Sequence, residues 1–262
     1  MTEERRTSTE AHVRRLWRHR GTTAPSPRRG PRQQLNLDQI LEAGIEIADR
    51  EGLAAVSTRA VAARFGRTAM ALYPYVGSKE NLLALMQDHA SAMPRWTDPT
   101  GSLAEALEAW ALALFELYLA HPWLTELPWS RSPGGPNEQD WLERLLTVLD
   151  RWDVPAHLRP PAVTMLYATV RATAQTAAAY RRMSPEAVAE WQDERRIRAE
   201  LLPDLAERYP RTAALQEAGA HGHWQQAPRN ALISSIRVIA TGLRAPQDSE
   251  DAPVRRERPA ER

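Results

Sequence analysis

Cysteine is absent from the 262 residues, which removes disulfides, thiolate metal sites and cysteine nucleophiles together. Lysine is nearly absent too: Lys79 is the single one, and every other basic residue is arginine or histidine. With abundant alanine and proline, that usage points to a GC-rich coding background, so arginine richness alone carries no functional message. The formal net charge is +1, so global charge does not announce nucleic acid. Long apolar runs are missing: Ala109 to Leu119 is the most apolar stretch, too short to span a bilayer and interrupted by Glu116. The N-terminus has no apolar core for a signal peptide, and a soluble, cytoplasmic protein is expected. No strand-like alternation competes with helical spacing, and no repeat of fixed period marks a solenoid. G-x-S-x-G, G-x-x-x-x-G-K-[ST], H-E-x-x-H and the Rossmann glycine pattern do not occur, so no catalytic residue is nominated and no enzyme is expected. His221 and His223 form an H-x-H pair without a nearby carboxylate cluster, which reads as a surface loop; no metal or other cofactor is expected.

What is present is organised around Ser57 to Lys79, S-T-R-A-V-A-A-R-F-G-R-T-A-M-A-L-Y-P-Y-V-G-S-K. Ser57 has the hydroxyl of an N-cap, and Val61, Ala62 and Phe65 fall at helical spacing behind it. Gly66 ends that helix, and Thr68 can cap a second in which Leu72 and Val76 face inward. Arg67, Met70, Tyr73 and Tyr75 then point outward, a face with no acid and two tyrosines where a solvated helix would carry Glu and Lys. Two short helices joined by a glycine turn make a helix-turn-helix. Gly77 closes the pair and Ser78 caps a further helix. Lys79 in its first turn opposes the helix dipole, an arrangement that makes sense if it and the free amides jointly hold a phosphate. Pro74 removes one helical hydrogen bond, so the second helix is expected to bend or end early.

The segment from about Leu37 to Met86 resembles the DNA-binding domain of the TetR family of bacterial transcriptional regulators. The resemblance rests on D-Q-I-L-E-A-G-I-E-I-A-D-R-E-G-L, on S-T-R-A-V-A-A-R-F-G, and on L-Y-P-Y-V-G-S-K-E-N-L-L, which is similar to the family's L-Y-x-H/Y-V/F-x-x-K-x-x-L-L. It implies that Arg59, Arg67, Thr68, Ala69, Met70, Tyr73, Tyr75 and Lys79 occupy DNA-facing positions. Arg59 and Lys79 would hold phosphates, while Arg67, Thr68, Met70 and Tyr73 would meet base edges, Arg67 as a guanine reader. Pro74 departs from the family pattern.

The remaining chain divides around this unit. Residues 1–35 read as a flexible Arg/Pro-rich arm whose Arg28, Arg29 and Arg32 would lie along phosphates or in the minor groove, or else form a solvated tail. Residues 36–80 form the helix-turn-helix domain, residues 81–245 a helical regulatory and dimerisation domain, and residues 246–262 a disordered charged tail. The fold class is all-α: an N-terminal three-helix DNA-binding domain followed by a larger helical body. Helices are expected from about Ser78 to Met93 and at 102–121, 138–152, 158–182, 185–208, 210–219 and 226–244, with proline and glycine at the breaks.

The body is rich in aromatic residues, any one of which alone is core, yet together they suggest a cavity for a hydrophobic or aromatic molecule. Its candidate lining is Trp110, Leu114, Tyr118, Trp141, Tyr167 and Arg171. Two late segments offer a homodimer interface: residues 169–180, dense in alanine and threonine, and residues 231–243, with Leu232, Ile233, Ile236, Ile239 and Ala240 on one stripe. The alternative is that both stripes are buried within one subunit. The combined expectation is a ligand-responsive repressor binding a palindromic double-stranded operator as a dimer, with no membrane partner. A ligand-independent or architectural DNA-binding protein, or an activator of the same fold, is the alternative.

Overall fold

The computed structural model describes residues 3–21, 35–97, 99–128, 133–219 and 224–244. Arg28, Arg29, Arg32, Trp129, His221, His223 and the 246–262 tail lie outside the described residues.

The first difference from expectation comes at the N-terminus. Instead of continuous arm, Glu3–Leu16 forms a helix, α1, followed by a turn through Gly21. Its sequence has almost no apolar stripe, and a helix of this length is marginal alone. Tertiary contacts hold it: Leu16 is buried in the core beneath the helix-turn-helix, Trp17 packs beside it, and the Arg18 guanidinium is paired with Asp38. Leu16, not the half-buried Trp17, is the buried anchor.

The next helices make the DNA-binding unit. Asn36 caps α2 (Leu37–Glu51), its side chain accepting from the Asp38 amide at 2.9 Å. The buried face of α2 is Ile40, Leu41, Gly44, Ile45, Ile47 and Ala48, and Gly52 ends it at φ 85°. There follow α3 (Thr58–Ala63), α4 (Tyr73–Val76) and α5 (Lys79–Ala90). Leu82, Leu85 and Met86 of α5 are fully buried in the same core as Ile40, Val61 and Leu72. The DNA-binding unit therefore runs through α5, beyond the boundary at residue 80 read from the sequence, and α5 stops at Ala90 rather than Met93.

The body is helical among the described residues. Ser102 and Glu105 form a reciprocal capping box at the start of α6 (Leu103–Ala120). A 3-10 strap, Pro122–Glu126, leads to α7 (Pro136–Arg151) and the long α8 (Arg159–Arg182). A single helix over 185–208 was expected; Pro203 cannot continue one, and the segment divides into α9 (Pro185–Leu201) and α10 (Leu205–Arg208). Then come α11 (Pro210–Gly219) and α12 (Ala227–Arg244). The body core lies between α6, α8 and α12, with α7 closing one side.

A further correction concerns α12. Leu232, Ile236, Ile239 and Ala240, the stripe assigned to a dimer, are buried against α6 and α8 of the same chain, with Ile233 half-buried, because the body core needs an apolar face from each of its long helices. The outward faces of the two helices carry small residues instead: Ala168, Ala172 and Thr176 on α8, and Ala231, Ser234 and Val238 on α12 are exposed, Val238 to 72%. No helix among the described residues is long and apolar enough to cross a membrane.

Candidate DNA-recognition surface and ligand cavity

Local capping builds the recognition surface. Ser57 Oγ accepts from the Ala60 amide at 3.0 Å and starts α3, while the Arg67 amide reaches back to the Ala62 carbonyl at 3.0 Å across Gly66, whose φ is 63°. The second helix of the motif is not continuous. A 3-10 turn over Ala69–Ala71 passes through Leu72 into the single turn of α4, with Pro74 in the first turn of the new helix. A proline is tolerated there because first-turn amides have no intrahelical acceptor in any case. Leu72 and Val76 are fully buried, which fixes the outward side.

The positions named from the family resemblance distribute over that outward side. Arg59, Arg67, Thr68, Met70, Tyr73 and Lys79 are exposed, Met70 to 73% and Tyr73 to 39%. Ala69 and Tyr75 are half-buried, and Tyr75 packs against the domain core. Two positions apart on α4, Tyr73 and Tyr75 point to different sides, and it is Tyr75 that meets the core. Ser78 Oγ caps α5 through the Asn81 amide at 3.1 Å, placing Lys79 at the first helical position. Arg64, by contrast, turns back to Glu46 of α2 at 2.6 Å.

The second site is a cavity of about 230 Å³ between α5, α6, α7, α8 and the strap. Leu114, Tyr118, Trp141, Tyr167 and Arg171 line it. Trp110, the sixth candidate, is fully buried one layer behind: its Nε1 donates to the Trp141 carbonyl at 3.2 Å, and its ring meets Tyr167 edge-on at 5.0 Å. Burial pushes the Tyr118 hydroxyl up to about 12 and raises Tyr167 also, so both phenols stay neutral near pH 7. The Arg171 guanidinium donates to the carbonyls of Thr125 and Leu127, the latter at 2.6 Å, so part of its donor capacity holds the strap.

Sequence reasoning missed the wall that α5 contributes, Gln87, Asp88 and Ser91. Asp88 is only 3% exposed, and its Oδ1 accepts from the amides of Asn137 at 3.0 Å and Glu138 at 3.2 Å, capping α7 from another helix. A Cβ on Gly135 would stand 2.1 Å from the same oxygen, so only glycine lets the carboxylate approach. Burial, against the pull of these amides, raises the Asp88 pKa to about 6. A detectable signal existed in the sequence: Asp88 lies three residues after the buried Leu85, on a side of the helix that is otherwise apolar. Trp141 Nε1 donates to the Ser91 carbonyl at 2.8 Å, tying α7 to the end of α5 a second time.

A third junction joins α2 to the strap. Trp123 Nε1 donates to Asp49 Oδ1 at 2.8 Å, and His121 Nδ1 lies 2.9 Å from that oxygen. His121 thus faces the DNA-binding unit rather than the cavity. No cluster of metal-ligating side chains is found among the described residues.

An exposed helix-turn-helix on a helical body that holds a cavity defines a class: one-component DNA-binding regulators. The chain belongs to the TetR family of bacterial transcriptional regulators, not to an enzyme family: the model described as "Bacterial regulatory proteins, tetR family" matches residues 40–86, and the one described as "Tetracyclin repressor-like, C-terminal domain" matches residues 94–226. Its sequence is 41% identical over 131 residues to the HTH-type transcriptional repressor DrrR1 of Streptomyces coeruleorubidus, covering 48% of each chain. It is 33% identical over 104 residues to an HTH-type transcriptional regulator of Saccharopolyspora erythraea, covering 39% of this chain and 44% of that one. The alignments thus span about half the length of these curated relatives. Among solved structures, ActR of Streptomyces coelicolor in complex with actinorhodin superimposes with a TM-score of 0.65 at 25% identity, covering 80% of this chain and 96% of that one.

Proposed function

We propose that the protein is a ligand-responsive transcriptional repressor that binds a palindromic operator as a homodimer and is released by a hydrophobic or aromatic small molecule. The observation carrying this reading is that α5, the helix following the recognition element, supplies Gln87, Asp88 and Ser91 to the cavity wall. A molecule filling the cavity changes the seat of α5, and operator affinity and ligand affinity are then linked by the same free energy. Trp141, Tyr118 and Tyr167 suit a flat ring system, and the two neutral phenols suit its polar substituents. That a similar structure holds actinorhodin, and that a partial relative is a repressor, support the same reading.

Arg67, Thr68, Met70 and Tyr73 are assigned to base edges, and Arg59 and Lys79 to phosphates. Two recognition surfaces about 34–36 Å apart suit a palindrome. The exposed small-residue faces of α8 and α12 supply the dimer contact. The protein acts in the cytoplasm, where its DNA is. Genomic DNA selection with the purified protein, then footprinting with and without a compound library, tests all of this. One short palindrome released by a compound is the expected result; absence of any selected sequence, or a monomeric mass at micromolar concentration, would overturn it.

A further inference from the structure

We propose that α1 is a brace for the recognition element and that Arg15 is the residue that positions it; this rests on the DNA-recognition surface assigned above. The recognition helix needs external support. A single turn such as α4 has too few hydrogen bonds to persist alone, and Pro74 lacks the amide that would have bonded the Met70 carbonyl and continued the preceding turn. From inside, Leu72 and Val76 hold the segment in the core. From outside, Arg15 Nη2 donates to the Pro74 carbonyl at 3.3 Å, a carbonyl at the end of α4 where the helix supplies few partners of its own. Arg15 Nη1 lies 3.5 Å from the place a Cβ on Gly77 would occupy, so the guanidinium spans α4 from its proline to its terminating glycine.

The brace is anchored independently of that contact. Leu16, the next residue, is 3% exposed in the core. Arg18 donates through Nε to Asp38 of α2 at 3.0 Å and approaches His89 Nδ1 of α5 at 3.3 Å. Arg20 pairs with Asp140 of α7. One short stretch of chain therefore touches the recognition turn, both helices that support it and the cavity helix. The matched DNA-binding family segment begins at residue 40, so α1 is an addition to that segment, present where this chain carries a proline in its recognition helix.

Arg15→Ala and Arg15→Lys in the full chain test the assignment. Two readouts are taken: amide hydrogen exchange of residues 72–77 without DNA, and operator affinity as a function of salt. Arg15→Ala is expected to speed exchange in 72–77 and weaken operator binding about tenfold, the size of one lost charge-assisted hydrogen bond, with the salt slope unchanged. Arg15→Lys, which keeps a donor for the Pro74 carbonyl, restores most of both. Unchanged exchange in the Ala variant would overturn the brace. So would a salt slope reduced by about one with exchange unaltered, which identifies a direct phosphate contact instead. If the unsubstituted protein selects no DNA, the function proposed above fails, yet the exchange measurement still decides the role of Arg15.

Discussion

The two cores of the molecule are built differently. Beneath the helix-turn-helix, the helices are held by large aliphatic side chains, Ile40, Leu41, Val61, Leu72, Leu82 and Met86. In the body, long helices approach closely over alanines, Ala106, Ala111, Ala162, Ala174 and Ala178, with Trp110, Phe115 and Trp141 filling the wider gaps. The units also exchange parts. The strap belongs to the body by sequence, yet Trp123 and Leu124 are buried in the DNA-binding core. Asp88 sits on α5, whose buried face packs into the DNA-binding core, yet it caps a body helix. These borrowed parts tie the two units together: contact between preformed surfaces would permit sliding, whereas a shared core and a shared helix cap move together or break.

The largest expected effect tests the borrowed strap. Trp123→Ala should destabilise by about 3–5 kcal/mol in urea unfolding, and hydrogen exchange should locate the loss in α2 and α5; a loss confined to α6 and α8 would assign the strap to the body alone. Asp88→Ala comes next, costing about 1–3 kcal/mol because the Asn137 and Glu138 amides lose their acceptor inside the protein. Its charge gives a sharper test. Folded Asp88 titrates near 6, whereas an unfolded aspartate titrates near 3.9. Between those values the folded protein holds a proton that the unfolded chain has released. The Asp88 contribution to stability therefore falls as pH rises from about 4 to about 6 and is level above. The nearby Glu138 strengthens this shift and Arg18 opposes it. Asp88→Asn should remove that segment from the stability profile, measured as the difference between the two proteins.

Recognition supplies the third comparison. Arg67→Ala should cost about 1–3 kcal/mol of operator binding and relax discrimination at one guanine, read by competition among operator variants. Equal losses on all sequences would make Arg67 a phosphate contact. The smallest effect belongs to Arg64, which follows the buried Val61 and Ala62 closely along the chain but is engaged with Glu46 in solvent. Arg64→Ala should change stability by less than about 1 kcal/mol, and a larger loss in thermal melting would show that α2 and α3 depend on this ion pair.

The parts legible in the sequence were those fixed by neighbours along the chain. Ser57, Ser78 and Ser102 cap the helices that follow them, and Gly66 and Gly77 turn where a positive φ is needed. Five of the six proposed lining positions, three of them aromatic, lie on the cavity wall, with Trp110 one layer behind. What remained hidden was contact across long separations. Asp88 and Asn137 are 49 residues apart, and neither carries a local sign of the other. The α1 helix was hidden for a related reason: its own residues have little helical amphipathicity, and its stability comes from Leu16 and Arg18 meeting α2 and the core.

The sequence by itself determined the all-α class, the helix-turn-helix with its outward Arg67, Met70 and Tyr73, and the capped helix starts after Ser57, Ser78 and Ser102, because capping, glycine turns and helical periodicity act over a few residues. Only the tertiary structure decided which apolar stripe of α12 faces inward, which carboxylate caps α7, and what supports a recognition helix interrupted by Pro74. Those outcomes depend on desolvation and on polar groups finding partners from remote parts of the chain, and such terms have no value until the helices are packed.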